Sequence, residues 1–190
     1  MLRLFFLVSL QKFNTHNFFV MKKSALLLAL FASFAMIFAS CSKDKSSASN
    51  NGGGGTNYGT ITFGNQSFKI AHSGYTIDYD EDIEANIVGI GLATADDQKG
   101  AAISIPFYST VPTGQFTITI SENPEQGDAG LAIVLGSNPA YLATQGTITI
   151  SQNGDYTIDA SGSTQSMTGS DVKAFTLHFT GPLPYYQDGD

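Results

Sequence analysis

Three aspartates stand at alternate positions in the most acidic stretch of the chain: Asp78, Asp80 and Asp82. Alternate carboxylates of this kind open an EF-hand loop, and Ca²⁺ prefers oxygen ligands. The rest of that loop is missing, because Ile83 occupies the position of the turn glycine and Gly89 that of the bidentate glutamate. The spacing therefore excludes an EF-hand. It leaves two alternatives, a looser calcium site or a solvated loop between strands.

Other metal ligands are few. The looser calcium site would add the carboxylates of Asp96 and Asp97. His72 and His178 would need a carboxylate partner to hold Zn²⁺, and their separation matches no zinc-binding spacing. Strand alternation points His178 away from the core and places His72 near the rim of the interior. Calcium is thus the only cofactor that the sequence suggests.

Nucleophilic catalysis finds little support in the sequence. There is no Gly-x-Ser-x-Gly motif, and the one cysteine, Cys41, lies upstream of the segment that can fold. A pair of acids for glycoside cleavage would be recognised by its separation in space. Most carboxylates fall in predicted turns, however, where an acid lacks the burial that raises a pKa for general acid catalysis. We predict no catalytic residue and a non-enzymatic binding or accessory module. The alternatives are a hydrolase of envelope glycans and a structural component of a surface assembly.

Cys41 ends an apolar run near the start of the chain. Lys22 and Lys23 precede residues 25–40, which carry no charge, and the small pair Ala39-Ser40 stands directly before the cysteine. A positive start, an apolar middle and small residues before a cut are the parts of a secretory signal. The run is shorter than the roughly 18–20 residues that span a bilayer. That length argues against a transmembrane anchor. One interpretation of the stretch is an ordinary cleaved signal, followed by a cysteine that stands there by chance.

This stretch resembles a bacterial lipoprotein signal. The resemblance implies cleavage before Cys41, which would become the new N-terminus and carry a diacylglycerol and a third acyl chain such as palmitate. It also implies attachment to the outer membrane through this N-terminal lipid. We interpret residues 1–20 as translation upstream of a true start at Met21, and residues 21–40 as the signal peptide. Lys43-Asp44-Lys45 loosely resembles the export tract of Bacteroidetes surface lipoproteins. Both the periplasmic face of the membrane and the cell surface therefore stay open.

Residues 41–57 are predicted to form the lipidated cysteine and a flexible linker. The tract SKDKSSASNNGGGGTN cannot bury apolar surface, so a disordered coil is expected there. Residues 58–190 are long enough for one domain with a sizeable core. Their three lysines stand against fifteen carboxylates, a formal net charge of −12. Such a domain repels nucleic acid and anionic headgroups, so we expect neither as a partner. The acidic balance serves solubility, or it attracts divalent cations.

Alternation of apolar and polar residues with period two runs through the domain and predicts strands. Their spacing of about eight to twelve residues, with short turns between, favours an all-β fold. We predict an antiparallel β-barrel or β-sandwich of roughly ten strands. Glycines within Ile87–Leu92 predict a bend or a bulge. The predicted strands are 60–63, 67–70, 75–79, 83–94, 101–105, 115–120, 131–135, 146–151, 155–160 and 172–180.

Two predicted hairpins echo each other. The first begins at Gly59–Phe63 and the second at Gly146–Ile150, and their return strands are alike as well. Gene duplication and convergence on the same Thr/Ile alternation both explain the echo. The late strands contain three further characteristic runs, at 147–150, 153–158 and 175–183. Through these residues the 41–190 segment resembles small, uncharacterised lipoproteins of Bacteroidetes, and those families carry no established activity to transfer.

Aromatic residues suggest a ligand site. A barrel lumen lined by phenylalanine could hold an apolar ligand, and Tyr185 and Tyr186 could stack on sugar rings. The alternative is that the strand aromatics pack in the core while the tyrosines belong to a frayed tail. The sequence therefore points to a glycan or a protein as ligand without naming it.

Overall fold

A computed structural model describes residues 57–121, 123–136, 140–167 and 170–186. These residues form ten β-strands and no helix, which confirms the predicted all-β class and number of strands. The strands are β1 (Gly59–Phe63), β2 (Gln66–Ile70), β3 (His72–Asp80), β4 (Ala85–Ala93), β5 (Lys99–Pro106), β6 (Gly114–Ile118), β7 (Asp128–Leu135), β8 (Tyr141–Asn153), β9 (Asp155–Ser166) and β10 (Val172–Gly181).

Strand β10 illustrates why this sequence forms strands. Phe175, Leu177 and Phe179 are 0–3% exposed, while the alternate residues Thr176 and His178 face solvent. Only an extended backbone puts every second side chain on the same face. Burying a side chain of this size contributes about 1.5–3 kcal/mol. The apolar half of the alternation therefore holds the strand in the sheet.

All ten strands belong to one sheet, in the order β2–β1–β10–β9–β8–β6–β7–β5–β4–β3. Neighbouring strands are antiparallel, as predicted, except for β6 and β7. Both of these strands pair antiparallel with β8, so they have to be parallel to each other. A register shift between Ala143 and Gln145 separates the part of β8 that pairs with β7 from the part that pairs with β6.

The sheet curls into a half-barrel, which answers the open choice between barrel and sandwich. Its end strands, β2 and β3, are separated only by Ala71, whose N–H donates to the carbonyl of Ala93 at 2.7 Å. The segment after β10 covers the outer edge of β3. There the N–H of Tyr75 donates to the carbonyl of Pro184 at 2.9 Å, and the N–H of Tyr186 donates to that of Tyr75 at 2.8 Å. An edge occupied in this way is protected from pairing with another chain.

One hydrophobic core fills the inside of the curl and draws residues from both ends of the sheet. Among its aromatic members, Phe63, Phe116, Phe175 and Phe179 are 0–2% exposed. These four rings pack against aliphatic side chains from the facing strands. For them the core-packing alternative is correct, and they do not line a lumen for an apolar ligand.

Strand β4 pairs in continuous register, so there is no β-bulge at its glycines, and the bend stays a prediction. Its pairing with β3 and β5 runs without a shift from Ile87 to Ala93. Gly89 and Gly91 lie on the outer face of the sheet, and β4 is buried on both faces. Strands buried on both faces give continuous apolar runs. The glycines match other small residues across the sheet: Gly74, Ala102 and Ala132 in the row of Gly91, and Thr76, Ser104 and Gly130 in the row of Gly89.

The two echoing hairpins are both present, as β1–β2 and β8–β9. They share a backbone feature at their first residues, since Gly59 has a φ of 153° and Gly146 a φ of 146°. A β-carbon at Gly59 would collide with the carbonyl oxygen of His178, and one at Gly146 with that of Ser161. Glycine at these two positions is therefore a structural requirement of the sheet. Duplication and convergence both remain explanations of the echo.

Candidate functional site

The three alternate aspartates lie where β3 turns into β4. The Oδ1 atom of Asp80 accepts the N–H groups of Asp82 at 2.9 Å and Ile83 at 3.3 Å, which shapes the turn. The Oδ2 atom of Asp78 accepts the hydroxyl of Thr76 at 3.2 Å. In the described part of the chain, no three histidine, cysteine or acidic side chains are grouped so that they could hold a metal ion. Calcium at this loop stays a prediction.

The second pair of acids lies at the opposite end of β4. Asp96 and Asp97 belong to the β4–β5 turn, whereas Asp82 belongs to the β3–β4 turn. The eight residue steps of β4 span about 26 Å. The fold therefore keeps the two acidic turns apart and does not bring Asp96 or Asp97 to the predicted calcium loop.

The two histidines are far apart in the sheet order, on β3 and β10. His178 faces solvent, as predicted, with 60% of its side chain exposed. His72 shares the outer side of β3 with Gly74, opposite Tyr75, and its side chain is 41% exposed. Its Nε2 atom lies 3.9 Å from Oδ1 of Asp97. In β2 the even-numbered residues Phe68 and Ile70 face the core, whereas in β3 the odd-numbered residues, such as Tyr75, do so. The alternation is thus reset at Ala71, and His72 lies on the outer face instead of near the rim of the interior.

Polar side chains, most of them serine or threonine, cover the outer face of the sheet on β2, β1, β10, β9, β8 and β6. Their inward neighbours, among them Ile61, Leu177 and Ile148, are buried, so the alternate residues point outward. Strand register aligns these residues in two rows across six strands. We call the twelve residues the hydroxyl face. The first row is Lys69, Thr60, His178, Asp159, Thr149 and Gln115, and the second is Ser67, Thr62, Thr176, Ser161, Thr147 and Thr117.

His178 and Asp159 form the centre of the first row. They lie directly opposite each other on β10 and β9, and Nδ1 of the imidazole is 2.7 Å from Oδ1 of the carboxylate. Their side chains are 60% and 59% exposed. Catalytic electrostatics depend on a water-excluded site, and this pair lies in water. Its second carboxylate oxygen and second ring nitrogen suit it to hydrogen bonding with a ligand.

An open depression of about 400 Å³ lies between the two rows. Its depth comes from the short side chains that surround it, mostly threonine and serine. Lys69 and Asp159 give the face one formal charge of each sign. The hydroxyl face is therefore electrically balanced on a domain whose net charge is −12. The residues that line the depression are Thr60, Thr147, Thr149, Asp159, Ala160, Ser161, Thr176, Leu177 and His178.

Lys173 anchors a second polar cluster, at the rim where β1, β8 and β10 meet. Its Nζ atom lies 3.0 Å from Oδ2 of Asp171 and 3.3 Å from the hydroxyl of Tyr141. The ammonium also lies 5.3 Å and 5.1 Å from the ring centroids of Phe63 and Tyr141. The hydrogen bond to Asp171 raises the pKa of Lys173 and lowers the pKa of Asp171. Because its groups bond to one another, this cluster ties three strands together at the rim.

The closing tyrosines belong to the ordered edge of the sheet, so the frayed-tail alternative is wrong for them. The ring centroids of Tyr185 and Tyr75 are 5.2 Å apart, and Tyr185 is 48% exposed. The ring of Tyr186 covers Gly74, where a β-carbon would collide with it. Each ring is thus already engaged with β3. Sugar stacking on these tyrosines stays a prediction, restricted to the exposed part of Tyr185.

Sequence reasoning did not identify the hydroxyl face. The signal was present strand by strand, since Thr60 and Thr62 flank Ile61 and Thr147 and Thr149 flank Ile148. What no single strand reveals is that β1 lies beside β10, so that His178 enters the row of Thr60. The neighbours of each strand therefore decide which alternating residues form one surface.

Cys41, the predicted lipidation site, lies outside the described residues. Within the described part of the chain, no helix is long and apolar enough to cross a membrane. Comparison with known proteins finds no matching family model, no similar curated protein and no similar solved structure.

Proposed function

We propose that this chain is a lipid-anchored protein of the bacterial outer membrane that acts as a non-enzymatic binding module. The anchor is argued from the sequence, where Lys22 and Lys23, the apolar run and the single cysteine at position 41 follow in the order of a lipoprotein signal. Each buried methylene contributes about 0.8 kcal/mol, so two or three acyl chains give stable attachment where one does not.

The stretch between anchor and domain suits a tether. Residues 42–57 are rich in glycine, serine and asparagine, and a coil of that composition and length reaches about 20–24 Å on average. It leads into β1, which contributes Thr60 and Thr62 to the hydroxyl face. A domain on such a tether can turn this face toward a ligand beyond the membrane.

The observation that carries the binding function is the alignment of twelve polar residues across six strands. The core beneath them is packed, with Ile61, Ile148 and Phe179 at 0% exposure. A rigid support means that these groups lose little further freedom when a ligand binds, which favours affinity. Isolated surface threonines need no explanation, whereas an ordered array of them on one face supports recognition of a polar ligand.

A hydrolase of envelope glycans is less well supported. It would need one carboxyl with a raised pKa to act as general acid. The pKa of Asp96 is lowered, mainly by the hydroxyl of Thr94, and the pKa of Asp171 is lowered, mainly by Lys173. Both shifts run opposite to the direction that a general acid needs. Asp159, on the hydroxyl face, is 59% exposed and thus lies outside a water-excluded site.

The anchor is tested in cells that express the full chain. Labelled palmitate should enter the wild-type protein and fail to enter Cys41→Ser, which should also leave the membrane fraction. Equal incorporation in both proteins would contradict the anchor. Protease added to intact cells then separates the two locations, since a periplasmic domain is protected and a surface domain is degraded.

The binding surface is tested with the protein extracted from its membranes and an insoluble cell-envelope preparation. The double variant Thr147→Val/Thr149→Val removes two hydroxyls from the face and keeps β-branched side chains that suit a strand. We expect retention on the envelope to fall severalfold in this variant. Thr110→Val, in the exposed loop between β5 and β6, is the matched control. Equal retention of all three proteins would contradict the role of the hydroxyl face.

A further inference from the structure

We propose that the ligand of the hydroxyl face is an uncharged, linear glycan that lies across the strands. This inference rests on the proposed function, because it names the ligand class of the same face. It is argued from three properties of the face: the chemistry of its groups, its charge and the spacing of its rows.

The chemistry of the face matches a polyhydroxyl ligand. Each serine or threonine hydroxyl donates one hydrogen bond and accepts two, and eight of the twelve residues are of these types. Sugar hydroxyls have the same dual character, so each contact works in either direction. Apart from the polar imidazole of His178, none of the twelve side chains carries a ring, and none is a purely hydrocarbon side chain, which makes the face unsuited to an apolar ligand. Thr157 and Thr180 continue the pattern below the first row, with their Oγ1 atoms 3.2 Å apart.

The charge of the face favours a neutral ligand. Asp159 lies at its centre, with Thr149 beside it on β8 and His178 on β10. A carboxylate or sulfate on the ligand would approach Asp159 and enter the field of a domain with a net charge of −12. Lys69 stands at one end of the row, three strands from Asp159, with β1 and β10 between them. Uronates and other anionic glycans are therefore disfavoured, whereas a neutral glycan experiences no such repulsion.

The spacing of the rows favours a chain that crosses the strands. Neighbouring strands lie about 4.8 Å apart, so the centres of a row repeat at about that interval. Two positions along a strand separate the rows by about 6.6–6.8 Å. A sugar ring lying between them could contact one row with each of its edges, for instance Asp159 in one row and Ser161 in the other. One sugar per strand along an extended glycan uses the whole array.

This arrangement predicts that affinity grows with chain length. Single hydrogen bonds exposed to water contribute little each, so a ligand that crosses one or two strands binds weakly. A chain of six sugars crosses all six strands and should bind at least tenfold more tightly than its trisaccharide, since about two further net hydrogen bonds correspond to a factor of that order.

The test is calorimetric titration of the membrane-extracted protein with defined oligosaccharides. Cellohexaose, xylohexaose and mannohexaose are the neutral probes, their trisaccharides test length, and hexagalacturonate is the anionic probe. We expect at least one neutral hexasaccharide to bind, at least tenfold more tightly than its trisaccharide and than hexagalacturonate. Thr147→Val/Thr149→Val should weaken that binding about tenfold or more, with Thr110→Val unchanged.

Asp159→Asn provides a second variant that keeps the size of the side chain. This variant should reduce the difference in affinity between hexagalacturonate and the neutral hexasaccharide, because it removes the negative charge that repels the anionic chain. Binding of hexagalacturonate as tight as that of every neutral chain in the wild type would overturn the inference, and so would the absence of binding by any saccharide. If envelope retention still depends on Thr147 and Thr149 in that event, the face binds another polar ligand and the proposed function stands.

Discussion

A side chain on Gly146 would collide with the carbonyl oxygen of Ser161 on the neighbouring strand β9. Gly146 also has a φ of 146°, a conformation that residues with a β-carbon rarely adopt. The close approach of β8 and β9 at this point thus depends on glycine. Gly146 begins the run that carries Thr147 and Thr149, so the same feature sets the register of the hydroxyl face.

Replacing Gly146 by alanine should lower the free energy of unfolding by about 1–3 kcal/mol, because strain in φ and a collision with backbone both oppose the new side chain. Gly114→Ala is the matched control. Gly114 has a φ of 134° and open space where its β-carbon would lie, so it reports strain alone. Denaturant unfolding measures both variants. A loss in Gly146→Ala no larger than in Gly114→Ala would show that the contact with Ser161 is unimportant.

The ion pair of Asp171 and Lys173 should make stability depend on pH at both extremes. The pKa of Asp171 is lowered, so its contribution is present above its ordinary value of 3.8 and is lost as pH falls through the folded-state pKa. The pKa of Lys173 is raised, so its contribution is present below 10.5 and is lost as pH rises through the folded-state pKa. Both contributions are complete in the window between these values.

Asp171→Asn tests this pH dependence by thermal unfolding. The melting temperature of the wild type should exceed that of the variant by a small amount at neutral pH, since exposed ion pairs contribute little. The two curves should converge well below pH 3.8, where Asp171 is protonated. High salt at pH 7 should shrink the difference as well. A difference that persists unchanged into strong acid would contradict the assigned cause.

Removing the segment that covers β3 should destabilise the domain and expose an edge. A chain that ends at Gly181 loses two main-chain hydrogen bonds, one from the N–H of Tyr75 to the carbonyl of Pro184 and one from the N–H of Tyr186 to the carbonyl of Tyr75. It also loses the buried side chain of Leu183. We expect the free energy of unfolding to fall by at least about 2 kcal/mol. Concentration-dependent association should follow, because β3 then offers unpaired backbone groups.

The control for this truncation is a chain that ends at Tyr186, which retains both main-chain bonds to β3. Light scattering and thermal unfolding compare the two truncations with the full chain. Association of the shorter chain alone is the expected result. Equal behaviour of both truncations would mean that residues 182–186 do not protect the edge.

Much of the fold follows from the sequence because alternation is a local signal. All ten strands stand where Thr/Ile-type alternation or an apolar run predicted them. The largest errors in length concern β8 and β9, each of which has an end beyond its predicted limit. The shift between Ala143 and Gln145 breaks the phase of β8, and the extension of β9 contains Gly162 and polar Ser163. In both stretches the alternation of apolar and polar residues is interrupted, so the sequence pattern does not predict a strand there.

The candidate site was less predictable, since it depends on which strands become neighbours. The outward direction of His178 follows from the phase of β10, but its contact with Asp159 requires that β9 and β10 pair in one particular register. Likewise, one of the two alternatives from the sequence joined the acidic turns in a single calcium site, whereas β4 holds Asp82 and Asp96 at its opposite ends. Residue types indicated the chemistry, whereas tertiary packing decided which groups meet.

The most direct measurement of binding at the hydroxyl face uses the two histidines of the domain as reporters. Diethylpyrocarbonate modifies exposed imidazoles. His178 lies on the hydroxyl face, whereas His72 lies near Asp97 on β3, an end strand of the sheet. Mass spectrometry would follow both modification rates in the membrane-extracted protein, with and without a saturating soluble extract of envelope polysaccharide. Our account predicts that the polysaccharide slows modification of His178 severalfold and leaves His72 unchanged. Equal rates at His178 with and without it, or protection of His72 alone, would contradict the account.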